Sequence, residues 1–336
     1  MGVNLSDIVE SREITLESLI DKAIAVDAFN WIYQFLSIIR QKDGESLKDS
    51  RGRVTSHFSG LFYRTIKFME AGIKPVYVFD GERHEFKKSV TEKRRDVREE
   101  AKKEWKAALE RKDLEEARKY AQRSTTITSA IVEDSKKLLQ AMGIPCVQAV
   151  SEGEAQCAYM CKQDLTWCTA SQDFDSLLFG TPRLVRNLSI SGRKKRGNEY
   201  VTVNPEIIEL SQVLENLGIS HSQLVILGML VGTDYNPVGV KGIGPKKALE
   251  LVREKKALEE VFSSLDWECE AAPEDVYSLF MNPDVVEEKP EFTEFDEDEV
   301  KKILCDEHDF SEERIDSAIK KLKEKPSQKS LSSWFK

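Results

Sequence analysis

Two short apolar runs, each closed by an aspartate, constrain this chain more than any other feature. Residues 22–27 read Lys-Ala-Ile-Ala-Val-Asp and residues 75–80 read Pro-Val-Tyr-Val-Phe-Asp. Neither run alternates polar with apolar residues, so each predicts a strand buried on both faces. Helical stretches over 31–40 and 56–71 lie between them. Buried strands alternating with helices predict an α/β fold with a mostly parallel central sheet flanked by helices. The carboxyl ends of the strands in such a sheet face the ligand crevice. Asp27 and Asp80 both stand at that position.

Beyond Asp80 the pattern changes. Residues 82–128 are dominated by charge, carry few large aliphatics and contain no Gly or Pro. They predict long exposed helices projecting from the sheet. Core patterning returns with a helix over 129–142, strands over 145–150 and 166–171, and a further strand near 184–188 followed by a basic loop. Helices are expected over 205–231. A glycine-rich hairpin at 239–247 (Gly-Val-Lys-Gly-Ile-Gly-Pro-Lys-Lys) leads into a helix, residues 267–300 read as irregular, and a last helix covers 311–323. The polar tail begins at Pro326.

More acids follow the later strands. Glu152 and Glu154 open the helix after 145–150, Asp173 and Asp175 follow 166–171, and Asp234 ends an apolar helix in Gly232-Thr-Asp-Tyr235. Any one of them suits a helix cap or a turn; Ser151 and Glu154, for instance, have capping-box spacing. Seven together are harder to explain that way, because crowded carboxylates repel one another unless they protonate or hold cations. Oxygen ligands without a His or Cys cluster favour a hard ion such as Mg²⁺ or Mn²⁺. Two such ions suit phosphodiester hydrolysis.

The formal charge of −9 argues against a nucleic-acid partner only until it is divided along the chain. Residues 284–313 hold fourteen acids against three lysines, or −11, more than the whole deficit. Residues 183–196 carry six bases and no acid, 83–123 fifteen bases against ten acids, and 241–256 six against two. Phosphate backbones respond to such local stretches, although each could also be a solvated face. Lys87 and Arg94, seven apart on a predicted helix just after Asp80, share a face and could clamp a phosphate. The glycines of the hairpin would let a phosphate approach backbone N–H groups closely. Six cysteines form no CxxC pair and read as reduced thiols. No apolar run approaches the roughly 20 residues needed to cross a bilayer.

With these residues in view, the chain resembles the flap endonuclease family of structure-specific 5′ nucleases, archaeal type, from end to end. The resemblance is carried by Ala25-Val-Asp-Ala28, Tyr33-Gln-Phe-Leu36, Gly72-Ile-Lys-Pro-Val-Tyr-Val-Phe-Asp-Gly81, Ser151-Glu-Gly-Glu-Ala155, Ser171-Gln-Asp-Phe-Asp-Ser176, Gly232-Thr-Asp-Tyr235 and Gly242-Ile-Gly-Pro-Lys246. It implies that Asp27, Asp80, Glu152, Glu154, Asp173, Asp175 and Asp234 hold two divalent metals, Mg²⁺ with Mn²⁺ as substitute. Lys87 and Arg94 would contact the scissile phosphate. Tyr33 would stack beside the displaced base, and Gly2 would lie close to the active site. Residues 82–128 would form an arch threaded by the 5′ flap. A helix-hairpin-helix element with Gly242, Gly244, Lys246 and Lys247 would grip duplex DNA with a bound K⁺.

Residues 310–315 resemble part of the region that recognises a one-nucleotide 3′ flap. The tail carries Gln328, Leu331, Trp334 and Phe335 in the pattern of a sliding-clamp-binding box of the PCNA type. The implied organisation is a nuclease domain over 1–325, with N-terminal region 1–100, intermediate region 122–258 and extension 259–325, then a clamp-binding tail over 326–336. The implied protein is a cytoplasmic, nucleoid-associated monomer with flap endonuclease and 5′-3′ exonuclease activities in Okazaki fragment maturation and repair. Val150, Thr233 and Trp334 depart from the family's usual residues, and none is a ligand position. A non-catalytic DNA-binding adaptor for the clamp is the alternative from another class. It would use the basic segments and the tail but would have no need of seven convergent acids. An RNA-cleaving nuclease on the same sheet is a third reading.

Overall fold

The structure, a computed structural model, describes residues 2–82, 85–189, 193–196 and 199–324. The strands are β1 (Arg12–Glu13), β2 (Ala23–Asp27), β3 (Lys74–Phe79), β4 (Cys146–Gln148), β5 (Cys168–Ala170), β6 (Arg183–Arg186), β7 (Arg193–Arg196), β8 (Glu199–Thr202) and β9 (Glu206–Glu209). The first helices are α1 (Ala28–Ile38), α2 (Ser56–Glu70), α3 (Lys88–Glu110), α4 (Leu114–Arg123), α5 (Ser129–Ala141), α6 (Gly153–Lys162) and α7 (Asp175–Leu178). They are followed by α8 (Leu210–Leu217), α9 (His221–Val231), α10 (Pro245–Glu254), α11 (Leu258–Phe262), α12 (Pro273–Met281), α13 (Glu297–Lys301) and α14 (Glu312–Glu324).

Seven strands form one sheet in the order β1-β9-β6-β5-β2-β3-β4. The five strands β6, β5, β2, β3 and β4 run parallel, and β9 and β1 add antiparallel at one side. The mostly parallel α/β sheet read from the sequence is therefore present. Its central strands are apolar throughout because helices cover both faces. One core packs α1, α2, α5 and α14 against the sheet, a second gathers α7 to α12, and a third packs α6 on β2, β3 and β4. Helix α9 is apolar all round and is buried from Leu224 to Leu230, as such a helix must be. Its start is fixed by a capping box between Ser220 and Gln223.

Several local expectations are corrected. The stretch expected to be helical from residue 205 begins as strand β9, because pairing with β6 completes that edge of the sheet. The basic loop after β6 contains the two-stranded ribbon β7–β8. The region expected to be irregular over 267–300 contains α12, with Pro273 at its first turn, and α13. No capping box forms between Ser151 and Glu154: the N-cap of α6 is Glu152, without a side-chain cap bond.

The charged segment forms one long helix, α3 of 23 residues, and a shorter one, α4 of 10, packed on each other, with Ala101, Ala108, Ala117 and Ala121 each at most 5% exposed. Small side chains explain why so little aliphatic residue is needed there. The pair is also tied to the body. The Trp105 indole donates to the Asp43 carbonyl at 3.0 Å, and the Arg40 guanidinium reaches the Thr125 hydroxyl at 2.7 Å. Among the described residues no single helix is long and apolar enough to cross a membrane. Gln328, Leu331, Trp334 and Phe335 lie outside the described residues.

Candidate active site

The sheet register assembles the site. In the parallel pair β2–β3, Asp27 is opposite Val78, so Asp80 lies two residues further along the same edge. Strand β5 flanks β2 on its other side and delivers Asp173 and Asp175 after Ala170. Strand β4 flanks β3 and leads to Glu152 and Glu154 at the start of α6. Four neighbouring parallel strands thus bring six of the seven acids to one edge. The seventh, Asp234, arrives on the turn after α9.

Each carboxylate is held by a specific donor. Asp27 caps α1, accepting from the Asn30 amide at 3.1 Å, and Asp80 accepts from the Gly153 amide at 2.8 Å. Glu154 accepts from the Ser171 and Ser176 hydroxyls at 2.9 and 3.3 Å. Asp173 accepts from the Asn30 side-chain amide at 3.1 Å, and Asp175 from the Val3 amide at 2.7 Å. A Cβ at Gly2 would sit 2.7 Å from the Asp175 carboxyl, so only glycine permits this approach of the N-terminal segment.

Two cations face the acids, Lys87 from the short turn just before α3 rather than from the same helix as expected, and Arg94 from α3 itself. Lys87 Nζ lies 2.6 Å from Glu152 and 3.9 Å from Asp234, and 4.7 Å from the centre of the Tyr235 ring. Arg94 Nη2 lies 2.6 Å from Asp234. Burial by itself would lower the Lys87 ammonium, but Glu152, Asp234 and Asp175 together carry it above its ordinary value.

Among the described residues, two positive side chains face these seven acids, and the carboxyls register the crowding. Burial, then Asp80, Asp173 and Glu152, push Asp27 well above the ordinary carboxyl range. Burial, then Asp173, Asp175 and Asp27, do the same to Glu154. Asp175 is pushed up to about 7 by burial and by Asp234 and Asp173, against the opposing pull of the Val3 amide and Lys87. Among the described residues no three of these groups already converge on one point as ion coordination requires. Glu152 is paired with Lys87 and Asp234 with Arg94. The donor set nonetheless suits a hard divalent cation: it is all oxygen, it is crowded, and its carboxyls are raised by mutual repulsion of the sign such an ion relieves.

Residues 1–101 match the XPG N-terminal domain and residues 143–234 the XPG I-region. Over 343 aligned residues the chain is 55% identical to flap endonuclease 1 of Pyrococcus furiosus, with all of both chains covered. The chain belongs to the flap endonuclease family. It is 54% identical to flap endonuclease 1 of Pyrococcus horikoshii and 50% identical to that of Thermofilum pendens, with all of this chain and 98% and 99% of those covered. Its fold superposes on flap endonuclease-1 from Methanococcus jannaschii with a TM-score of 0.76 at 40% identity, covering 96% and 98% of the two chains. It also superposes on the catalytic core of Rad2 in complex with a DNA substrate, with a TM-score of 0.72 at 25% identity over 96% of this chain and all of that one. This protein is a structure-specific flap endonuclease of archaeal type, and nucleases of its family depend on a divalent metal.

The remaining expected residues sit apart from the acids. Tyr33, 36% exposed, lies six residues beyond Asp27 on α1. Gly242, Gly244, Lys246 and Lys247 are exposed around the start of α10. Gly242 has φ +78°, and no atom lies within 4 Å of a Cβ built there or at Gly244, so the hairpin backbone faces open space. Gly244 caps α10 without a side-chain bond, and Pro245 occupies the first turn, leaving amide hydrogens directed outward. Sequence reasoning missed the hydroxyls of Ser171 and Ser176, the Tyr235 ring and Asn30. The two serines flank Asp173 and Asp175, and Asn30 is three residues from Asp27, so spacing alone could have raised them.

Proposed function

We propose that the seven carboxylates bind two Mg²⁺ ions, with Mn²⁺ as substitute, and that the protein cuts a 5′ flap at the junction of single strand and duplex. The observation that carries this reading is the gathering of six acids on one sheet edge with a seventh beside them on the turn after α9, crowded enough to raise the carboxyls of Asp27, Glu154 and Asp175. Divalent ions bound there would supply the charge that activates water and stabilises the leaving oxyanion.

The chain's own residues then divide the remaining work. Lys87, just before α3, and Arg94, on it, face the acids and are placed to neutralise the scissile phosphate as its charge grows. The Val3, Gly153 and Asn30 amides fix the carboxylates of Asp175, Asp80 and Asp27 and keep them acceptors. Tyr33 offers an exposed ring for a displaced base, and α3 with α4 forms the arch for the flap. The outward amides near Gly242 and Gly244, with Lys246 and Lys247, hold duplex phosphate with a K⁺ ion beside them.

In the cell the protein would act in the cytoplasm, associated with the nucleoid, as a monomer. It would mature Okazaki fragments and repair DNA, with 5′-3′ exonuclease activity on nicks. A sliding clamp of the PCNA type would recruit it through Gln328, Leu331, Trp334 and Phe335. The nuclease body would span residues 1–325.

The deciding experiment incubates a labelled double-flap DNA with Mg²⁺ or with EDTA, using the native protein and Asp175→Ala. Incision should require the ion and vanish in the variant, while gel-shift affinity persists. Incision by Asp175→Ala would overturn the site; binding without cutting by the native protein would favour the adaptor.

A further inference from the structure

A file of polar side chains leads away from the acids along α1. Asn30 touches two of the seven at once: its backbone amide donates to Asp27 Oδ1 at 3.1 Å and its side-chain Nδ2 donates to Asp173 Oδ2 at 3.1 Å. One turn on, Gln34 Nε2 donates to Asn30 Oδ1 at 2.5 Å, the i,i+4 geometry of a helix face. Ser189 Oγ donates to Gln34 Oε1 at 2.5 Å. The Ser189 carbonyl in turn accepts from Nη2 of the buried Arg64 at 2.8 Å.

The direction of this file is set at its inner end. Asp173 as a carboxylate can only accept, so Asn30 must present its NH₂ to it and its oxygen to Gln34. Gln34 must then present its NH₂ inward and its oxygen to Ser189. Reversing Asn30 would set its oxygen against the Asp173 carboxylate, and reversing Gln34 would set two amide oxygens against each other. Arg64, anchored in α2, holds the outer end. The Asn30 side chain therefore has one orientation and holds the Asp173 carboxylate, while its backbone N–H holds Asp27 from the same residue.

We infer that Asn30, braced by Gln34 and Ser189, is a positioning residue that sets Asp27 and Asp173 for divalent-metal binding. The inference rests on the reading of those two acids as metal-holding groups. Partners that orient ligating carboxylates typically govern metal affinity by about 10- to 100-fold. The bond to Asp27 comes from the Asn30 backbone and survives side-chain replacement, so the effect of removing the side chain passes through the Asp173 carboxylate.

The test measures Mn²⁺ binding by calorimetry on the full chain without DNA, alongside flap-DNA affinity in EDTA. Asn30→Leu should weaken Mn²⁺ binding by about 10-fold or more and leave DNA affinity in EDTA within twofold. Gln34→Met, which touches neither acid, should give a smaller loss in the same direction. Asp173→Asn is the control for the underlying reading. If Asp173→Asn leaves Mn²⁺ binding unchanged, the metal assignment of that acid falls. If Asp173→Asn abolishes binding but Asn30→Leu and Gln34→Met both keep native affinity, this inference alone falls. Should Asn30→Leu fail to fold, native Mn²⁺ affinity in Gln34→Met overturns the relay by itself.

Discussion

Replacing Asp175 by Asn in the metal-free protein should stabilise the fold, and more so as pH rises. Asp175 is 4% exposed, and its carboxyl is pushed from 3.8 up to about 7 by burial, Asp234 and Asp173. The folded state thus holds this proton more tightly than the unfolded state does. Below about pH 4 both states are protonated and nothing is lost. As pH climbs toward 7 the unfolded chain releases the proton while the folded site resists, and stability falls by about 1.4 kcal/mol per pH unit. The accumulated cost is on the order of 4 kcal/mol above pH 7 and about half that at pH 5.

Asparagine keeps an oxygen for the Val3 amide, now 2.7 Å from the carboxylate, and removes only the charge. Urea denaturation in EDTA, followed by tryptophan fluorescence at pH 5 and pH 8, reads the difference. Asp175→Asn should exceed the native protein by about 2 kcal/mol at pH 5 and by about 4 kcal/mol at pH 8. Saturating Mg²⁺ at pH 8 should reverse the order, because only the native site binds the ion fully. A gap that stays constant between the two pH values would refute the claim that crowded, buried negative charge is the site's defining property.

Three other outcomes follow from the same geometry. Lys87→Ala should slow single-turnover flap cleavage by about 10²-fold or more while changing DNA affinity little, since its contact matters most as charge develops; an unchanged single-turnover rate would remove Lys87 from the chemistry. Gly2→Ala should cut the rate by up to about 10²-fold, because the new methyl must displace the Asp175 carboxyl; native kinetics would show that the N-terminal segment can move aside freely. Deleting residues 328–336 should spare basal cleavage and remove stimulation by a sliding clamp, and equal stimulation of the truncated protein would dismiss that role for the tail.

Much of this could be read along the chain. The apolar runs ending at Asp27 and Asp80 specify buried strands by composition, and a parallel arrangement follows from the helices between them. Acids two apart after later strands then point at one crevice edge, and charge without aliphatics marks the helices α3 and α4. Local sequence determines these features because they depend on neighbours within a few residues. Tertiary structure decided the rest. Strand β9 replaces an expected helix because β6 offers it unpaired hydrogen-bonding groups. Glu154 abandons a cap for Ser171 and Ser176, which lie 17 and 22 residues away in sequence. The raised protonation of Asp27, Glu154 and Asp175 and the relay through Asn30 exist only once distant segments meet, since burial and Coulomb repulsion depend on separation in space rather than along the backbone.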